Sequence, residues 1–186
     1  MPNWCSNQAT IHGTKEQILE LVGAYERGGV IENYLPTPRD PDDSTKLLGE
    51  DKPFDPDEDT TKSWYYWRIK NWGTKWDFGK TEYTADEECF WSVGEKEYEG
   101  YGMVTLRFET AWSPPIGWYE ALNALDMIVE AYYFEPGVSF CGQWSNPTEG
   151  IVDEEITIHN PSDVPYIISQ IFNTEEFYQD TGDLIE

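Results

Sequence analysis

The chain has no lysine or arginine after Arg107, while fifteen carboxylates lie beyond that point, from Glu109 to Glu186. Over all 186 residues, 36 Asp and Glu oppose 12 Lys and Arg, a formal net charge of −24. This far exceeds the charge of about 2–8 that keeps a small domain soluble. The shortage of cations excludes the Lys/Arg clusters that phosphate contacts need, so direct binding of DNA or RNA is not expected. Histidine is nearly missing too: His12 and His159 are the only two, in no HExxH pattern. The three cysteines, Cys5, Cys89 and Cys141, are odd in number and far apart. They read as small buried side chains in a reducing compartment, not as a disulfide framework. No run of about 18 apolar residues exists, so no membrane span is predicted. The first residues lack the basic-then-apolar pattern of a signal peptide, and the expected location is the cytoplasm. Neither GxxxxGK[ST] nor GxGxxG occurs, and no cofactor is expected.

What the chain does have is rings: 9 Trp, 12 Tyr and 8 Phe. Acidic disordered segments lack aromatics, so these point to a folded core. The length suits a single domain over residues 1–186. Residues 36–62 are rich in Pro, Asp and Lys and poor in large apolar side chains, and read as an exposed acidic insertion. Within it, Asp55, Asp57 and Asp59 match the first positions of a calcium loop, but Thr60 and Tyr66 stand where Gly and Glu belong. Residues 174–186 read as an acidic, fraying tail.

Periodicity places the elements. Cys5, Ala9 and Ile11 alternate in a strand over 4–12. Thr14-Lys15-Glu16-Gln17 is a capping box opening a helix, with Ile18, Leu19, Val22 and Tyr25 on one face and Gly28-Gly29 at its end. Ser63 precedes a short aromatic helix, WYYWRIKNW. Cys89, Trp91 and Val93 alternate in one strand and Val104, Leu106 and Phe108 in the next. Ser113-Pro114-Pro115 starts a helix whose buried stripe is Trp118, Ala121, Leu122 and Leu125. Strands are predicted over 127–135, 138–145 and 151–158. A last helix from about Asp163 puts Val164, Ile167, Ile168 and Ile171 on one face. Strand, helix, strand, strand, helix, strand is the split-βαβ, ferredoxin-like order. The expected class is therefore α+β: an antiparallel sheet extended by two C-terminal strands, with helices packed on one face.

Two motifs are unusual: Trp67 through Asn71-Trp72-Gly73-Thr74-Lys75-Trp76-Asp77, and Thr110-Ala111-Trp112-Ser113-Pro114-Pro115. With the opening Met1-Pro2-Asn3-Trp4-Cys5-Ser6-Asn7, they resemble the YubB-like family of phage- and plasmid-encoded proteins, which has a ferredoxin-like domain. The resemblance covers most of the core but not the acidic insertion or tail. It implies a mobile-element origin and a bacterial host, and it carries no catalytic residues with it. Physically, NWGTKWD reads as a turn: Gly73 takes positive φ, Trp72 and Trp76 pack inward, and Lys75 pairs with Asp77. Trp67, Trp72, Trp76, Trp91 and Trp112 are expected in the core. The competing reading makes the motifs a recognition surface, because Trp and Arg form binding hot spots.

An acidic surface seeks basic partners through its long-range field. The leading expectation is a non-catalytic accessory protein that binds a basic host protein, itself nucleic-acid-binding. Its sharpest form is an anti-defence DNA mimic, in which carboxylates stand in for phosphates. The candidate surface is Glu130 and Glu135 on one strand, Asp153, Glu154 and Glu155 on another, and Glu175, Glu176 and Asp180 near the last helix. The rivals are a module docking through aromatics around Trp67, Trp72 and Trp112, plain solvation by the acidic surface, and an enzyme with an acidic site. No metal site is expected.

Overall fold

A computed structural model describes residues 3–51, 62–80, 88–93, 100–147 and 150–181, with the backbone alone at 180 and 181. The calcium-like residues Asp55, Asp57 and Asp59 lie outside the described residues. The fold is α+β. Strands β1 (Trp4–Thr14), β2 (Glu88–Val93), β3 (Tyr101–Ala111), β4 (Ile128–Glu135), β5 (Phe140–Ser145) and β6 (Val152–Thr157) form one sheet. Their order is β2-β3-β1-β4-β5-β6, and every neighbouring pair is antiparallel.

Helix α1 (Lys15–Glu26) opens with the capping box that its sequence predicts. Thr14 Oγ1 accepts from Gln17 N, and Gln17 Oε1 accepts from Thr14 N. Helix α2 (Val30–Tyr34) was not legible in the sequence. Helix α3 (Trp64–Trp72) ends at Gly73, whose φ of 87° lies in the left-handed region. Helix α4 (Ile116–Asn123) begins later than Ser113 suggests, and Ser113 does not cap it. Gly117 lets α4 touch α3, since a Cβ there would overlap the Asn71 carbonyl oxygen.

These four helices cover one side of the sheet. Ile18, Leu21, Tyr25, Val30, Ile31, Trp72, Trp118 and Leu122 bury against Ala9, Ile11, Val104, Leu106, Phe108, Val129, Ala131 and Trp144. Leu19 and Leu125, expected in the buried stripes, are exposed.

Helices α5 (Tyr166–Phe172) and α6 (Thr174–Thr181) correct the expectation that all helices share one side. They pack on Phe134, Cys141 and Ile156, whose strand neighbours Tyr133 and Gly142 point to the opposite side. This second core holds Val164 and Ile168, with Phe172, Phe177 and Tyr178 against it, while Ile167 is exposed. Residues 174–181 are therefore a packed helix, not a fraying tail. The insertion is also tied down at its start. Thr37 is buried, and its hydroxyl donates to Glu32 Oε2 over 2.6 Å.

Candidate functional site

The NWGTKWD, TAWSPP and N-terminal segments meet at one corner of the sheet, where β1 starts and β3 ends. Trp4 pairs with Ala111 and Cys5 with Thr110. The buried Asn7 side chain donates from Nδ2 to the Cys5 carbonyl (2.7 Å) and to Thr110 Oγ1 (2.8 Å). Thr110 in turn donates to the Ser113 carbonyl, 2.8 Å away. Thr74 acts as an extra strand residue: its hydroxyl accepts from Ala111 N (3.0 Å) and donates to Ala111 O (3.1 Å). Ser113 Oγ donates to the Gly73 carbonyl, and Trp112 N donates to the Asn3 carbonyl (2.9 Å). A Cβ on Gly73 would stand 2.7 Å from the Pro114 carbonyl oxygen, which adds a steric reason for glycine there. So NWGTKWD, TAWSPP and the N-terminal motif form one hydrogen-bonded unit, with its polar groups satisfied as burial requires.

The unit holds Trp112 at φ 70°, a left-handed conformation that is costly for a bulky residue. Such strain persists where surrounding contacts over-determine it, and it concentrates at functional positions. The conformation leaves the ring partly in solvent. Trp112 is 37% exposed and Trp76 41% exposed, both expected in the core. Tyr65 meets Trp112 edge-on at 6.4 Å between centroids. Trp64 contacts Tyr65 at 6.2 Å and Trp76 at 6.0 Å. The four rings make a continuous aromatic surface.

Two cations sit on it. Lys75 Nζ lies 4.4 Å from the Trp76 ring centroid and 5.3 Å from that of Tyr65. It does not pair with Asp77, contrary to expectation. Asp77 caps α2 instead: Oδ1 accepts from Ile31 N (2.7 Å) and Oδ2 from Glu32 N (2.8 Å). Burial pushes the Asp77 carboxyl up, and these backbone donors with Arg68 pull it back. Arg68 is the deeper cation, 4.1 Å from the Trp72 centroid and 5.2 Å from Trp64. It donates to Thr37 Oγ1 and to Glu32 Oε2. Trp72 is fully buried and Trp67 half-buried, as a core role for them requires. Trp91 is 48% exposed because β2 is the outermost strand of the sheet.

The predicted acidic residues do not form one patch. Glu130 is exposed and accepts from the Tyr132 hydroxyl at 2.7 Å. Asp153, Glu154 and Glu155 are all exposed on β6, but alternation sends Glu154 to one side of the sheet, beside Gln143, and the other two to the opposite side. Glu175 and Glu176 are exposed in the first turn of α6, where a helix favours negative charge. The Asp180 side chain lies outside the described residues. Glu135 is a correction. It is fully buried and accepts from Gly137 N (3.1 Å) and Val138 N (2.6 Å), holding the β4–β5 turn. Its five-residue offset from Glu130 puts the two on opposite sides of a strand, as period two dictates.

The thiols are set up as core groups. Burial first, and then Glu135, pushes the Cys5 thiol far above its ordinary value; burial lifts Cys89 and Cys141 to about 11. A thiol held protonated is a poor nucleophile. His12, seven residues from Cys5, falls on the other side of β1 and is exposed. Among the described residues, no group of three His, Cys, Asp or Glu is placed to hold a metal ion. No helix among them is long and apolar enough to cross a membrane. No family model, curated protein or solved structure matches the chain.

The sequence puts Trp76 in the core and Trp112 either there or, in the rival reading, on an aromatic docking surface with Trp67 and Trp72; Trp72 is fully buried and is not part of that surface. It passed over Trp64 and Tyr65 as recognition residues and gave no role to Asn3 or Asn7. The signal for Trp64 and Tyr65 is present: five rings within WYYWRIKNW exceed what one buried helical stripe can use.

Proposed function

We propose that this is a non-catalytic interaction protein that docks a basic partner on the aromatic corner, with the acidic surface guiding the approach. The observation that carries the reading is Trp112, held in a left-handed conformation by three sequence-distant segments and left partly open to solvent. Exposed tryptophan on a rigid scaffold contributes contact area at low entropic cost and is the residue type that dominates binding energy. The net charge of −24 selects a cationic partner and speeds encounter.

The same proposal takes the sheet to be ferredoxin-like. The β2-β3-β1-β4 order, with β1 between β3 and β4 and helices α1 and α4 as crossovers, supports it. The proposal joins this to the YubB-like resemblance and reads the protein as an accessory product of a phage or plasmid that acts on a basic host protein in the bacterial cytoplasm.

DNA mimicry is the second reading. It draws support from the β6 carboxylates, which are exposed on a rigid sheet edge and far from any Lys or Arg in sequence. An acidic edge strand has another use, since charge there discourages edge-to-edge pairing. The experiment that separates the readings is competition on a captured basic partner with labelled DNA. Displacement of DNA that is lost with Asp153→Lys/Glu155→Lys supports mimicry. Displacement or co-binding that is lost with Trp112→Ala supports the aromatic corner. Binding indifferent to Trp112 would sink the leading proposal.

A further inference from the structure

The two cations on the aromatic corner are held differently. Arg68 is a fixed part of the structure, with an 11% exposed side chain bonded to Thr37 and Glu32 and lying between Trp64 and Trp72. Lys75 is half-buried, and its ammonium lies against ring faces, 4.4 Å from the Trp76 centroid and 5.3 Å from that of Tyr65. Among the described residues no carboxylate pairs with it. Lys46 and Lys80, by contrast, each hold one. In a chain where carboxylates outnumber cations by 36 to 12, a lysine that rests on rings identifies those rings as a cation site.

We infer that the Trp76–Tyr65 face, bordered by Trp64 and Trp112, is a receptor for a lysine or arginine side chain of the partner, and that Lys75 fills it when the partner is absent. The inference rests on the basic-partner reading above and names how that partner is held. A flexible lysine stem with no hydrogen-bonded anchor on its ammonium can swing into water, where the ammonium is well hydrated. An incoming guanidinium or ammonium then takes its place on the same faces. The acidic surface raises the local concentration of such cations and repels an anionic competitor. The three rings other than Trp76 are positioned by α3 and by the strained Trp112, so little ordering is needed on binding.

The test uses the full chain and a fluorescently labelled peptide of repeated Gly-Arg-Gly-Lys, titrated by anisotropy at physiological salt. Trp76→Ala and Trp112→Ala are expected to weaken binding several-fold. Trp76→Leu, which keeps apolar area but removes the π face, is expected to weaken it as well. Lys75→Gln vacates the site and is expected to tighten binding several-fold. Lys70→Gln removes the same charge from the exposed side of α3 and is expected to leave binding close to the parent. Near-ultraviolet circular dichroism checks that each variant is folded; Trp76 is exposed enough that its loss leaves the core intact. If the peptide does not bind the parent protein, the basic-partner reading itself fails. If it binds the parent and the Trp76 and Trp112 variants equally, that reading stands and the receptor is overturned. If Lys75→Gln and Lys70→Gln shift affinity alike, only net charge is at work and Lys75 has no placeholder role.

Discussion

At the scale of single residues, the tryptophans of NWGTKWD divide the labour. Trp72 is fully buried, its indole N–H donates to the Leu35 carbonyl over 2.8 Å, and one ring face carries the Arg68 guanidinium. Trp76, four residues on, faces solvent beside Trp64. Removing a large buried ring leaves a cavity that the surroundings fill only in part. Trp72→Ala is therefore expected to lower unfolding free energy by about 3–5 kcal/mol, whereas Trp76→Ala should stay within about 0.5 kcal/mol of the parent, as exposed positions do. Urea denaturation of both variants checks the pair. Equal losses would mean that Trp76 is a packing residue and that the exposed aromatic corner has been misjudged. Asp77 makes the same point from the polar side: a residue that reads as a partner for Lys75 instead accepts backbone donors from a helix 45 residues upstream.

At the scale of elements, α5 and α6 form a small second core on the sheet side opposite the main one. Phe134 stands at its centre, 5.7 Å from Phe177 and 6.2 Å from Tyr178 between ring centroids. Truncation after Asn173 should uncover Phe134 and Phe172, lower the melting temperature and create binding of a hydrophobic dye. A truncated chain that melts like the parent and binds no dye would show that α6 adds nothing to the core. How much of this was legible follows from where each signal lies. The α1 boundary was readable because its capping box is local, with Thr14 and Gln17 three residues apart. Strands β1 and β3 and the start of β4 were readable because one side of each is buried, and alternation survives in the sequence. Helix α2 was not, because five residues give no periodicity and its cap comes from Asp77, far along the chain. The two-sided placement of helices was also hidden. Phe134 next to Tyr133 looks like an ordinary apolar run, and only the sheet shows that neighbours face different cores. For the site, the motifs were legible as unusual segments, but not their meeting point, which depends on register between β1 and β3.

At the scale of the whole molecule, charge sets how the fold responds to its solvent. On the alkaline side the tyrosines add to the carboxylates. Burial first, then the hydrogen bond to Glu130 and its charge, pushes Tyr132 up to about 12, and burial holds Tyr119 well above the ordinary value. Between the ordinary phenol value of about 10 and these raised values, the folded chain keeps protons that the unfolded chain releases. Stability should therefore fall as pH rises through that window. Tyrosinate absorbance should then appear in a late step that coincides with unfolding, and full titration near the ordinary value in a folded protein would refute this. Near neutral pH the decisive variable is salt. The ion pairs described, Arg39 and Arg68 with Glu32, Lys46 with Asp51, Lys80 with Glu26 and Arg107 with Glu88, all fall in the chain up to Arg107. The carboxylates beyond it have no cation of their own segment to meet, and like charges on β6 and at the start of α6 oppose compaction. Their mutual repulsion reaches across roughly 30 Å at 0.01 M ionic strength and only about 8 Å at 0.15 M. Raising salt across that range should raise the melting temperature, and charge-reversed Asp153→Lys/Glu155→Lys should rise less because it begins with less repulsion. A melting temperature that ignores salt in both proteins would mean that the C-terminal carboxylates are too well spaced to repel one another, and the acidic surface would then cost the fold nothing to keep.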